Sequence, residues 1–151
     1  MKKFELTNEF ITNMFGTKLF RIRALVEFGD VEAGELGGYV EKESNLGHDD
    51  NAWVYDNALV CGDARVCGNG DYAYAHGFGS VNRTTTFFRL KDGGVGVRCG
   101  CFYGTLAQFR DKIRETHGET KKAQEYLMLA DLMELRFEED ENEVGNRKYV
   151  E

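Results

Sequence analysis

Proline is missing from this 151-residue chain altogether, and tryptophan occurs once. Without proline, no turn can rely on a ring-fixed backbone. The 18 glycines, with asparagine and aspartate, must make the corners, as they do in β-rich repeats. Histidine is scarce too: His48, His76 and His117 are the whole supply of imidazole. No apolar run approaches the length needed to span a bilayer. The opening "MKKFELTNEF" sets its lysines before no apolar core, so no signal peptide is expected and the chain reads as cytosolic. Positive charge is in deficit, with 19 Lys and Arg against 26 Asp and Glu and a formal net charge of -7. That balance argues against broad, non-specific DNA binding, which runs on phosphate neutralisation. It leaves open a basic partner, or mimicry of a nucleic acid. The 42% hydrophobic and 13% aromatic content is enough to build a core.

The most regular stretch is "NAWVYDNALVCGDARVCG", Asn51 to Gly68, three successive units of the form [ND]-A-x-V-[YC]-[DG]. Hexapeptide periodicity marks a left-handed parallel β-helix. Alternation places Ala52, Val54, Ala58, Val60, Ala64 and Val66 inside, and Trp53 and Tyr55 outside. Asn, Asp and Gly between units supply the corner conformations. Repeats bury their faces only against neighbours, so an array this short needs caps on both sides. The expected fold is mainly β with α: a short left-handed parallel β-helix flanked by N-terminal strands, then a β-hairpin and a helical hairpin.

The expected divisions are an N-terminal β cap over 1–43, the repeat over 44–81, the β-hairpin and two helices over 82–137, and an acidic, solvated tail over 138–151. In the cap, "KLFRIRAL" alternates, with Leu19, Arg21, Arg23 and Leu25 on one face, and a hairpin turn is expected at Phe15 to Thr17. The Gly-rich segment from Phe28 to Asp50 reads as turns leading into the repeat. Further on, "KDGG" between alternating runs signals a hairpin. A two-residue turn at Asp92-Gly93 sets Leu90 against Val95, Phe88 against Val97 and Thr86 against Cys99 on one apolar face. Phe87, Arg89, Lys91 and Arg98 then share the other face. Thr105 followed by Gln108 predicts a capping box opening a helix that ends near His117 and Gly118. A second helix over about 120–137 carries Tyr126, Ala130, Met133 and Phe137, with Met128, Leu132 and Leu135 widening its stripe beyond one face. Such a helix either sits in a core or contacts a partner, a second copy being the sharp alternative.

"LFRIRALVEFGDVEAGELGGYVEKESNLGHDDNAWVYDNALV" and the later "NRTTTFFRLKDGGVGVRCGCFYGTLAQFRDKIRETHG" with "AQEYLML" resemble small hexapeptide-repeat proteins of phages and prophages of Gram-positive bacteria. The resemblance covers nearly the whole chain. It implies a mobile-element accessory protein with a short β-helix, acting in the bacterial host's cytoplasm, and it implies little about activity.

On these grounds the expected function is non-enzymatic binding of a host protein, with inhibition of a bacterial defence system, CRISPR for instance, as the specific form. Candidate binding residues are Trp53, Tyr55, Phe87, Arg89, Lys91 and Arg98. The alternative is a nucleic-acid, nucleotide or anion binder using the basic hairpin face, where Phe87 stacks on a base. A hexapeptide acyltransferase needs several stacked coils and an oriented catalytic His; a single coil offers neither. No cofactor is expected. Cys61, Cys67, Cys99 and Cys101 lack the usual C-x2-C spacing of zinc knuckles, so small buried thiols are expected rather than a metal site.

Overall fold

The structure is a computed structural model that describes residues 2–12, 16–78, 83–100 and 102–138. The described residues form two four-stranded sheets and two helices. The first sheet has the order β1 (Phe4–Thr12), β2 (Lys18–Ala24), β3 (Leu36–Val40) and β4 (Leu59–Val60). The second follows chain order through β5 (Tyr72–Phe78), β6 (Arg83–Arg89), β7 (Val95–Cys99) and β8 (Phe102–Thr105), antiparallel throughout. Helices α1 (Leu106–His117) and α2 (Lys121–Phe137) close the chain. Of the acidic tail expected over 138–151, all but Glu138 lies outside the described residues.

The expected left-handed β-helix is not the fold. A solenoid would stack the hexads into successive parallel coils, whereas here they contribute a two-residue strand, β4, parallel to β3, and isolated bridges between Leu46 and Val66 and between Ala64 and Leu90. Three hexads offer too little sequence to supply their own neighbours. They take β3 on one side and β6 on the other. Their inward residues Ala52, Val54, Ala58, Val60, Ala64 and Val66 are all buried in the first core. Apart from the short β3–β4 pairing, the segment is held by single bonds. Leu59 N–H donates to Thr86 Oγ1 at 2.9 Å, Lys91 N–H to Asp63 O at 2.8 Å and Arg65 N–H to Arg89 O at 2.9 Å. Asn45, fully buried, donates through Nδ2 to the carbonyls of Gly62 and Ala64, and its Oδ1 accepts from Lys42 N–H.

Three local expectations also change. The β6–β7 hairpin does not turn in two residues. Leu90 N–H donates to Gly94 O and Gly93 N–H to Leu90 O, giving a three-residue loop with Gly93 at φ +92°. One extra loop residue reverses the relative facing of the strands. Phe87 pairs with Val97 and Arg89 with Val95, while Phe88 pairs with Gly96 and Thr86 with Arg98. Arg89 and Arg98 therefore lie on opposite faces. In β1 and β2 the register shifts between Leu6 and Phe10, and between Arg21 and Arg23 where β2 meets β3. The extra residues fall in β1 and β3, and along β2 Leu19 and Ile22 are both buried, against simple alternation.

The third change is β3, found where turns were expected. Its paired glycines serve close approach rather than chain reversal. A Cβ on Gly37 would lie 2.6 Å from the Val54 carbonyl oxygen and 2.7 Å from the Trp53 ring. Gly37→Ala is expected to lower unfolding free energy by about 1–3 kcal/mol, the usual cost of overpacking a filled core. Urea denaturation checks this, with Gly68→Ala, where nothing lies within 4 Å, as the near-neutral control.

Candidate interaction surface

The six residues singled out in the sequence do not meet on one surface. Trp53 is fully buried, edge-on to Phe28 with ring centroids 5.4 Å apart. Phe87 is buried in the second core, edge-on to Phe109 of α1. Arg98 is 5% exposed and points to the other side of the sheet, where Nε donates to Gly100 O at 2.8 Å and Nη1 lies 3.9 Å from Cys61 Sγ. Arg89 spans the edge between Asp71, 3.4 Å away, and the Phe137 ring, 5.2 Å from its guanidinium carbon. Lys91 is exposed at the hairpin loop, and Tyr55 is half-buried beside Tyr72. The basic hairpin face thus dissolves, because its residues sit on opposite faces of a sheet covered on both sides.

The histidines are similarly dispersed. His48 stacks on Phe4 and accepts the Lys3 N–H at Nδ1, with Glu43 3.4 Å from Nε2. His76 Nδ1 lies 2.8 Å from Thr84 Oγ1, and His117 ends α1 against the Tyr126 ring. Cys61 and Cys99 are buried in different cores, Cys67 is exposed, and Cys101 lies outside the described residues. Among the described residues no group of three His, Cys, Asp or Glu side chains is placed to hold a metal ion. Burial pushes the Cys61 thiol up to about 11, outweighing the nearby Arg98, so it stays protonated at neutral pH. Native alkylation at pH 8 is expected to modify Cys67 quickly and to spare Cys61 and Cys99 until denaturant is added, as mapped by peptide mass spectrometry.

What the fold does present is the outer face of α2. The helix buries Ala123, Tyr126, Ala130, Met133 and Phe137 in the second core. Met128, Leu132 and Leu135 stand on the other side, 70%, 53% and 68% exposed. Their spacing of i, i+4 and i+7 makes one continuous apolar stripe. Sequence periodicity marked these residues as surplus to one face, and the structure puts them outside. Arg110 of α1 braces the helix from one side, donating to Asp131 at 2.9 Å and Glu134 at 2.7 Å. Both carboxylates are thus paired with Arg110, and charges of both signs lie along the helix, Lys121, Lys122 and Arg136 against Glu125, Asp131 and Glu134. Among the described residues no helix is long and apolar enough to cross a membrane. Compared with models of known protein families and with curated proteins, the chain finds no match.

Proposed function

We propose that this protein is a non-enzymatic binding protein that docks another protein on the outer face of α2. One observation carries the reading: three large apolar side chains stand exposed in a row on a helix whose opposite face already fills the core. The fold has no use for them, and contiguous exposed apolar surface of this kind marks interaction sites. The net charge of -7 favours a basic partner over a second copy of this chain, since two copies would repel one another.

The resemblance to phage and prophage proteins supplies the setting. In that setting the partner is a host protein in the bacterial cytoplasm, and inhibition of a defence system, as by anti-CRISPR proteins, is the biological outcome. Small accessory proteins of mobile elements commonly act by occupying a host surface, an argument from analogy of context rather than from chemistry.

The test compares the wild-type chain with Met128→Ser/Leu132→Ser/Leu135→Ser in affinity capture from a Gram-positive host, with light scattering on both. The expected result is a stoichiometric partner on the wild type and a monomer in its absence. Binding to the triple variant should fall by at least about 100-fold, as losing several buried apolar anchors predicts. The far-UV spectrum should not change. Equal capture by both chains, or no stoichiometric partner, would overturn the reading.

A further inference from the structure

A cleft of about 400 Å³ is lined by Tyr55, Asn69, Tyr72, Ala73, Tyr74 and Arg136. It follows β5, the edge strand of the second sheet, at the junction of the hexad segment, the turn at Asn69–Asp71 and the last turn of α2. Its size falls within the range of small-ligand pockets. The α2 stripe plays no part in it.

One wall is aromatic. Tyr72 and Tyr74 lie two residues apart on β5 and therefore on the same face. Their ring centroids are 6.2 Å apart, with planes only 13° from parallel. Both rings are pinned at their hydroxyls. Tyr72 OH accepts from Tyr55 N–H at 3.1 Å, and Tyr74 OH donates to Asp56 Oδ2 at 2.5 Å. The Asp56 bond, together with burial, pushes Tyr74 up to about 12, so both phenols stay neutral. Asp56 itself holds φ +53°, the one positive φ outside glycine among the described residues.

The polar groups that remain are donors. Asn69 spends its carbonyl oxygen on Trp53 N–H at 3.1 Å, which leaves its amide N–H groups to the cleft. Arg136 is exposed, and among the described residues no carboxylate pairs with its guanidinium. In a chain with seven more acidic than basic residues, 26 against 19, a free guanidinium beside oriented rings is a selective arrangement. Two acids near the tyrosines in sequence are already engaged, Asp56 by Tyr74 and Asp71 by Arg89 and Cys67 N–H.

Pinned rings offer stacking at little entropic cost, and a guanidinium with amide donors selects an anionic, acceptor-rich group. We propose that this cleft binds a planar heteroaromatic ring bearing a phosphate, that is, a nucleotide. The base lies against Tyr74, which the buried Tyr72 backs, and the phosphate lies on Arg136 and Asn69. A free nucleotide and a nucleotide of a single strand share this chemistry, and the experiment separates them.

Titration calorimetry with AMP and UMP is the primary measurement, with adenosine, inorganic phosphate and an eight-residue oligothymidylate as further probes. Saturable AMP or UMP binding is expected, with phosphate alone far weaker. Arg136→Ala should weaken AMP by about tenfold or more while leaving adenosine unchanged, the signature of a lost charge-assisted contact. Tyr74→Ala should weaken both, and Tyr74→Phe should retain most of the binding because the ring remains. Arg114→Ala, on the exposed face of α1, should change nothing. Tighter, salt-sensitive binding of the oligonucleotide through the same residues identifies a nucleic-acid strand as the source, and tighter AMP binding identifies the free nucleotide. The proposal is wrong if none of these nucleotide probes saturates at millimolar concentration, or if Arg136→Ala and Tyr74→Ala leave binding intact.

Discussion

Two adjacent phenylalanines on β6 set the plan of the molecule. Phe87 and Phe88 are both fully buried, yet successive residues of a strand point to opposite faces. The second sheet must therefore be covered on both sides. Phe88 joins the core built from the first sheet and the hexads, while Phe87 joins the core built with α1 and α2. Neither helix is optional in this arrangement, because without them Phe87, Val97 and Cys99 would face water. Thr85 and Thr86, buried on the same strand, obey the same constraint and find partners on their own sides, Cys99 Sγ at 3.2 Å and Leu59 N–H at 2.9 Å.

The hexad segment sits between the two sheets with little ladder bonding of its own. Backbone groups buried without a ladder need side chains to satisfy them, and this explains why the polar residues of the interior gather along it. Asn45 serves two hexad carbonyls. Lys3 reaches in from the start of the chain, its Nζ 2.5 Å from Ala52 O and 3.0 Å from Asp50 O, with Asp50 Oδ1 at 3.2 Å. Burial holds the Lys3 pKa below its usual value, against the pull of Asp50. The folded chain then releases that proton at lower pH than the unfolded chain does. Lys3 therefore costs stability at neutral pH, and the cost shrinks as pH rises through the folded pKa towards the unfolded one. What offsets it is satisfaction of carbonyls that no strand pairs.

How much of this was legible follows from the range of each signal. The Thr105–Gln108 capping box is a contact within one turn, and its reciprocal bonds, Gln108 N–H to Thr105 Oγ1 at 3.2 Å and Thr105 N–H to Gln108 Oε1 at 2.9 Å, are where the sequence puts them. The inward set of the hexads was equally readable, since a period of two needs no partner to be seen. Their assembly was not readable, because whether hexads stack into a solenoid depends on what lies beside them. Trp53 was misplaced for a related reason: alternation sends it outward, but Phe28 and Gly37 cover that side, so both faces are buried and parity loses its meaning. The hairpin failed on a single residue. Lys91 belongs to the loop, and the candidate basic face, resting on strand parity, could not survive that shift. The cleft at Tyr74 and Arg136 joins residues 62 positions apart, which no local pattern connects.

The two faces of α2 explain why an exposed apolar stripe is tolerable. On the inner side, Ala130 is fully buried where the helix meets the rest of the fold, Tyr126 meets Phe109 edge-on at 5.7 Å, and Phe137 lies under the Arg89 guanidinium. Contacts along the helix to its last residue fix its rotation, and the Arg110 fork to Asp131 and Glu134 fixes it from α1. Met128, Leu132 and Leu135 are consequently displayed on a backbone that has already lost its freedom. The proposed docking would then cost only side-chain order and desolvation rather than the folding of a segment. Exposing three apolar side chains risks self-association, and the net charge of -7 limits that risk through repulsion between like copies.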